Sequence, residues 1–253
     1  MRQPLVAGNW KMNGSRDSVK ALLDGLKAGI STVTTAEVAV CCPHAYLADV
    51  QASLTGSAIA WGGQDVSIHD SGAYTGETAG SMLTDFGAKF VIIGHSERRQ
   101  YHGETDQVVN AKAKAAIRNE ITPIICVGEG LDIRKAGDQV KYTLAQVDGA
   151  LAGLSGAQVE NLVIAYEPVW AIGTGEVATP DDAQEVCGAI RSRVSELHGN
   201  AADKLRILYG GSMKADNVAA LMAMPDVDGG LVGGASLDPD EFVSVCRYRM
   251  HGN

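Results

Sequence analysis

Eight times along the chain, a short β-like run is followed by a helix-like segment, at a spacing of roughly thirty residues, the length of one βα unit. The runs are Leu5–Trp10, Glu37–Cys42, Ala58–Gly63, Phe90–Gly94, Thr122–Val127, Leu162–Glu167, Arg206–Tyr209 and Gly229–Val232. Helices are expected at Asp17–Ala28, Ala45–Leu54, Gly80–Phe86, Asp106–Asn119, Ile133–Leu154, Pro180–His198, Ala215–Met224 and Pro239–Met250. Several runs are continuously apolar rather than alternating, as strands covered on both faces are. With 253 residues, 45% of them hydrophobic, the chain can bury one large core, and no Pro/Ser-rich linker divides it. The expected class is α/β, one (β/α)8 barrel domain over residues 1–253 with a closed parallel sheet. An open doubly wound sheet is the alternative, because strand order is not written in the sequence.

Charge and composition narrow the function. The net charge of −9 comes with dispersed basic residues, which argues against nucleic acid, whose binding needs a positive footprint. A small anion is compatible, since one cleft lysine and a few backbone N–H groups bind phosphate locally. No apolar run approaches the length of a membrane span, and Met1-Arg2-Gln3-Pro4 does not begin a secretory signal. The five cysteines include no CxxC pair. Cys41 and Cys42 adjoin in a strand-like run, so their side chains point to opposite faces as small buried hydrophobes. A reducing, cytoplasmic setting is expected. Cys42-Pro43-His44 has no further ligands at metal spacing, so no metal site is expected.

In a barrel of this kind, chemistry gathers at the C-terminal ends of the strands. Polar and glycine residues do follow the runs: Asn9 and Lys11, His95, Glu167, Gly210-Gly211-Ser212, and Gly233-Gly234. Glu167 carries the strongest signal. It ends an apolar run, Pro168 stiffens the backbone after it, and an apolar segment with glycines at 173 and 175 has the composition of a lid. A carboxylate at a strand tip beneath such a lid is suited to general-base work, and a solvated strand-end glutamate would not explain Trp170-Ala171-Ile172 beside it. Asn9 and Lys11 point the same way on an extended chain; the other reading of Lys11 is a surface lysine with a snorkelling stem. His95 or Ser96 is positioned to cap a short helix through Glu97-Arg98-Arg99, and a helix N-terminus favours neutral imidazole. The glycine pairs after the last two strands let backbone N–H groups approach a phosphate, although each pair alone is also an ordinary turn. Neither GxGxxG nor GxxxxGKS occurs, so no nucleotide cofactor is indicated.

Six motifs in order, Gly8-Asn9-Trp10-Lys11-Met12-Asn13-Gly14, Gly72-Ala73-Tyr74-Thr75-Gly76-Glu77, Ile93-Gly94-His95-Ser96-Glu97-Arg98-Arg99, Ala165–Gly175, Tyr209-Gly210-Gly211-Ser212 and Leu231-Val232-Gly233-Gly234-Ala235-Ser236, resemble the triosephosphate isomerase family across essentially the whole chain. The resemblance implies the TIM barrel named after that family and a glycolytic and gluconeogenic interconversion of dihydroxyacetone phosphate and glyceraldehyde 3-phosphate, without cofactor or metal. It implies Glu167 as the base, His95 as the neutral electrophile, and Lys11 with Asn9 as the stabilisers of an enediolate, Glu97 orienting Lys11. Gly173, Ser212, Gly233 and Gly234 would hold the phosphate. Ile172 and Leu231 would press on Glu167 when the lid closes, and Cys126 would pack near the site. It further implies a homodimer in which the long loop Gln64–Glu77 inserts Thr75 beside the partner's site. Departures are Glu176 where a lysine is frequent, Tyr74 for phenylalanine and Gly130 for threonine. Another phosphate-binding barrel, such as a sugar-phosphate epimerase, lacks the Glu167-Pro168 lid. A catalytically silent barrel kept for binding should have lost Lys11, His95 or Glu167.

Overall fold

The computed structural model describes residues 2–250 apart from Thr32, Gly173 and Gly175. Eight strands close into a parallel barrel in chain order: β1 Leu5–Asn9, β2 Glu37–Cys41, β3 Ile59–Gly63, β4 Phe90–Ile93, β5 Thr122–Val127, β6 Val163–Tyr166, β7 Arg206–Tyr209 and β8 Gly229–Val232. Closure is made by β1 pairing with β8, Leu5 opposite Gly229. The strands read as apolar runs because both their faces are buried. Leu5, Ala7, Ala39, Cys41, Phe90, Ile92, Ile124, Cys126, Val163, Ala165, Leu208 and Leu231 fill the barrel interior. Their neighbours Val6, Val40, Val91, Ile125, Ile164 and Ile207 pack outward against the helices. Cys41 and Cys42 divide between these two cores as their adjacency requires.

Eleven helices are described around the sheet: α1 Arg16–Ile30, α2 Leu47–Leu54, α3 Gly80–Asp85, α4 Ser96–His102, α5 Asp106–Arg118, α6 Leu131–Ala136, α7 Gln139–Leu151, α8 Gly156–Val159, α9 Pro180–His198, α10 Val218–Met222 and α11 Pro239–Cys246. Local chemistry sets their starts. Ser15 and Ser18 form a capping box on α1, Thr179 and Asp182 form another on α9 with Pro180 in its first turn, and Asp238 caps α11. Each such cap is worth about 1 kcal/mol. The expected helix Ile133–Leu154 is in fact two helices. Gly137 adopts a left-handed backbone (φ 77°), and the Asp138 N–H turns back to the Ile133 carbonyl at 3.2 Å, which terminates α6 before α7 begins.

An ion-pair network staples the end of the barrel opposite the polar strand tips. Arg191 of α9 holds Asp226 and Asp228, each at 2.6 Å, and donates to the Ala202 and Leu205 carbonyls. Asp228 also binds Arg2 at 2.6 Å and accepts the Ile207 N–H at 2.9 Å. The entries to β1, β7 and β8 are thus tied to one guanidinium. Removing the guanidinium from this largely buried network leaves Asp226 without its ion pair and Asp228 with Arg2 alone. Arg191→Met should therefore cost about 3–5 kcal/mol in urea unfolding with turnover near that of the parent. A loss within the ordinary surface range, below about 0.5 kcal/mol, would contradict the role given to this network.

Candidate active site

The two-residue period of the strands carries inward-facing side chains to the barrel mouth. Leu5 and Ala7 lead to Asn9, and Val163 and Ala165 lead to Glu167. Asn9, His95 and Glu167 are buried polar residues at 5%, 7% and 1% exposure. The Glu167 backbone is clamped between neighbouring strands. Its N–H donates to the Val127 carbonyl at 2.7 Å, and the Gly210 N–H donates to the Tyr166 carbonyl at 2.7 Å. A Cβ on Gly128 would lie 1.7 Å from the Glu167 carbonyl oxygen, and one on Gly210 would lie 3.0 Å from Glu167 Cγ. Only glycine admits the chain so close to this carboxylate. Gly128 has no distinguishing signal in the sequence, since an isolated glycine after a strand has many uses.

His95 ends β4's path and caps α4. Its Nδ1 accepts the Glu97 N–H at 3.2 Å, so that nitrogen carries no proton and Nε2–H is the donor of a neutral ring. His95 Nε2 lies 2.9 Å from Glu167 Oε1. Glu167 also accepts from the Ser96 N–H at 2.9 Å and the Ser96 hydroxyl at 3.0 Å. Burial pushes the Glu167 carboxyl up, but His95 and the two Ser96 donors outweigh it and hold the group below the usual glutamate range. Ser96 was seen in the sequence only as a possible helix cap; its grip on Glu167 joins residues 71 apart and has no local signature. Arg99 fixes this corner, donating to the Gly94 and Cys126 carbonyls and to Asp106 at 2.8, 3.1 and 2.6 Å. Cys126 is fully buried beside Glu167, and burial pushes its thiol well up.

Lys11 departs from the extended chain assumed for it. β1 stops at Asn9, and Lys11 takes a left-handed backbone (φ 52°), rare for a residue with a side chain. Its N–H donates to Asn9 Oδ1 at 3.0 Å, and Gln64 donates to its carbonyl at 3.0 Å, which over-determines the strained turn. Lys11 Nζ meets Glu97 Oε1 at 2.7 Å. Asn9, Lys11 and His95 line a cleft of about 240 Å³ together with Ile172, Gly210, Gly211, Ser212, Leu231, Gly233 and Gly234. The same three residues line an adjoining space of about 490 Å³ bounded by Met12, Gln64 and Tyr101. Glu167 lines neither, because its carboxylate is turned onto Ser96. Gly173 lies outside the described residues.

The segment after Glu167 rests on a polar cluster. Tyr166 Oη donates to the buried Glu129 at 3.0 Å, and the Trp170 N–H reaches the Glu129 carbonyl at 3.3 Å. Burial raises the Glu129 carboxyl despite the Tyr166 donor. The Arg134 guanidinium covers the Trp170 ring at 5.1 Å and also holds Glu185 and Asp182 of α9. Among the described residues, no cluster of three or more His, Cys, Asp or Glu is arranged to hold a metal, and no helix is long and apolar enough to cross a membrane.

The geometry has counterparts in known proteins. The family model described as Triosephosphate isomerase matches residues 4–249. The triosephosphate isomerase of Streptomyces coelicolor is 55% identical over 253 residues, covering 98% of each chain. That of Nitrosococcus oceani is 53% identical over 247 residues, covering 98% of this chain and 99% of its own. The crystal structure of triosephosphate isomerase from Bartonella henselae superposes with a TM-score of 0.89 at 39% identity, covering 98% of this chain and 99% of its own. A closed eight-stranded barrel, a buried carboxylate at the sixth strand's tip and full-length similarity converge: this chain belongs to the triosephosphate isomerase family.

Proposed function

We propose that the chain, acting as one (β/α)8 domain over residues 1–253, interconverts dihydroxyacetone phosphate and glyceraldehyde 3-phosphate in glycolysis and gluconeogenesis. The observation that carries this reading is a carboxylate at 1% exposure, held ionised beside an imidazole Nε2 at 2.9 Å and against a glycine-lined cleft. Such a pair can move a proton on carbon while a neutral donor steadies the adjacent oxygens.

In the proposed cycle, Glu167 leaves Ser96 and takes a proton from the hydroxymethyl carbon of the ketone. The carbon–hydrogen electron pair forms the double bond of an enediolate, whose charge settles on the former carbonyl oxygen. His95 Nε2–H and the Lys11 ammonium face that oxygen, and the ring moves a proton between the two substrate oxygens. Glu167 then returns its proton to the former carbonyl carbon, giving the aldehyde. Asn9 fixes the Lys11 turn and also faces the substrate. Backbone N–H groups at Gly173, Ser212, Gly233 and Gly234 take the phosphate, and the last two begin the short 3-10 turn Gly234–Leu237, where N–H groups are free for an anion. Ile172 and Leu231 exclude water from the carboxylate as the segment after Trp170 closes. No step calls for a cofactor or metal.

The active form is proposed to be a homodimer working in the cytoplasm. The five buried, unpaired thiols suit a reducing compartment. The loop Gln64–Glu77 is stiffened from within: His69 stacks on Tyr74 at 3.7 Å, and Arg118 holds Asp70 and the Ile68 carbonyl. Yet its tip leaves Tyr74 44% exposed, and Met12 and Tyr101 are 96% and 72% exposed nearby along the cleft. An ordered loop with an uncovered aromatic tip needs a docking surface, and a second copy of the chain supplies one.

Three outcomes are expected. Glu167→Asp withdraws the carboxylate by about an ångström and should slow turnover on the order of a hundredfold in a coupled assay with glycerol-phosphate dehydrogenase, and His95→Gln should cost several orders of magnitude; near-normal turnover by either would sink the assignment. Ser96→Ala removes the hydroxyl donor and should raise the Glu167 titration toward the ordinary range, followed by carbon NMR of the labelled carboxyl. Because the folded-state value is depressed in the parent, its stabilisation is fully present above the ordinary glutamate range and is lost as pH falls through the folded value, so the variant, with a smaller depression, should lose less stability on acidification than the parent. An unmoved titration would remove Ser96 from the account. Thr75→Arg should yield weakly active monomers by sedimentation, and a fully active native monomer at micromolar concentration would overturn the dimer.

A further inference from the structure

The cleft is short of positive charge for the ligand it is proposed to hold. The chain carries 30 acidic and 21 basic residues, a net charge of −9, which repels an approaching phosphate dianion. Two carboxylates, Glu97 and Glu167, stand behind the cleft without lining it. Lys11 answers the first of them directly at 2.7 Å, so that pair is locally neutral. The other cation lining the cleft is Lys214, beside Ser212 and Gly234. Among the described residues its ammonium meets no carboxylate, and it is exposed at the rim.

Its placement is built, although its head group is free. The Lys214 N–H donates to Asn217 Oδ1 at 2.9 Å, and the Lys214 carbonyl accepts the Val218 N–H at 3.0 Å. Asn217 Nδ2 closes the turn onto the Ser212 carbonyl at 3.0 Å. The same turn therefore fixes Ser212 and Lys214, both of which line the cleft. We propose that Lys214 is the positioning cation that draws the phosphorylated substrate into the cleft and raises its capture rate, a role resting on the isomerase reading. A rim cation acts over about a Debye length, 8–10 Å at ordinary salt, so its effect belongs to encounter and is erased by ions. It differs from Lys11, whose ammonium is paired with Glu97 at 2.7 Å.

The test compares the full-length parent with Lys214→Met, Lys214→Arg and Lys114→Met across ionic strength from roughly 10 mM to 300 mM. Lys114 is an exposed lysine beside Gly153, outside the cleft, and controls for net charge. Lys214→Met should lose about tenfold in kcat/KM at the lowest salt, narrowing to about twofold at the highest, with inorganic phosphate weakened as a competitive inhibitor in parallel. Lys214→Arg should restore both the rate and the salt slope, and Lys114→Met should match the parent. A Lys214→Met enzyme with the parent's kcat/KM and salt slope, or with a loss confined to kcat, would overturn the proposal, as would an equal loss in Lys114→Met. An inactive parent would instead defeat the isomerase reading. Calorimetric binding of inorganic phosphate, weaker in Lys214→Met than in the parent, would then still support the Lys214 role, and equal binding would refute it.

Discussion

Closure of the parallel sheet is the constraint on which everything else here depends. Once β1 pairs with β8 no strand has a free edge, and alternate residues of every strand must point at the axis. The interior is filled by Leu5, Ala7, Val163, Ala165 and their counterparts. Extending that same alternation past the last packed layer delivers Asn9 and Glu167 to one mouth. The fold makes no separate provision for the site, which is the next layer of the core with polar residues in it. The opposite mouth receives the Arg191, Asp226 and Asp228 network, so one end is built for stability and the other for chemistry.

The resting state of Glu167 explains how an ionised group tolerates a site this dry. Burial pushes its carboxyl up, and an unpaired buried carboxylate is costly. Ser96 contributes a backbone and a hydroxyl donor, and His95 a ring nitrogen, so the charge is solvated by protein. The His95 tautomer that permits this is fixed from behind by the Glu97 N–H, and Glu97 in turn pairs with Lys11. Glu167, His95, Glu97 and Lys11 thus form one hydrogen-bonded chain anchored on the first turn of α4. The arrangement holds the Glu167 carboxylate on Ser96 and out of the cleft lining, and a ligand that engages it must offer something better than Ser96.

Much of this was legible in the sequence, for identifiable reasons. Strand count and positions follow from apolar runs with two buried faces, and Glu167, His95 and Asn9 follow because they end those runs. The helix break at Gly137 is hidden because the apolar pattern continues across it, while the left-handed turn depends on one glycine among 30. Ser96, Gly128 and Arg99 leave no local signature because each acts on residues distant in the chain: Ser96 on Glu167, Gly128 on the Glu167 backbone, Arg99 on the Cys126 carbonyl. Lys11 was expected on the right side of the cleft for a reason that does not hold, since its backbone turns left-handed instead of running on as strand.

The central claim is that Glu167 is the mobile base and that Ser96 is its parking place. A crystal structure of the full chain with a planar phosphorylated hydroxamate, a mimic of the enediolate, tests it directly. The account predicts that the Glu167 carboxylate leaves Ser96 and meets the mimic at hydrogen-bond distance, with His95 Nε2 on the mimic's oxygens and the phosphate on Ser212, Gly233 and Gly234. A bound mimic with Glu167 still on Ser96 at about 3 Å, the ordinary hydrogen-bond length, would contradict it.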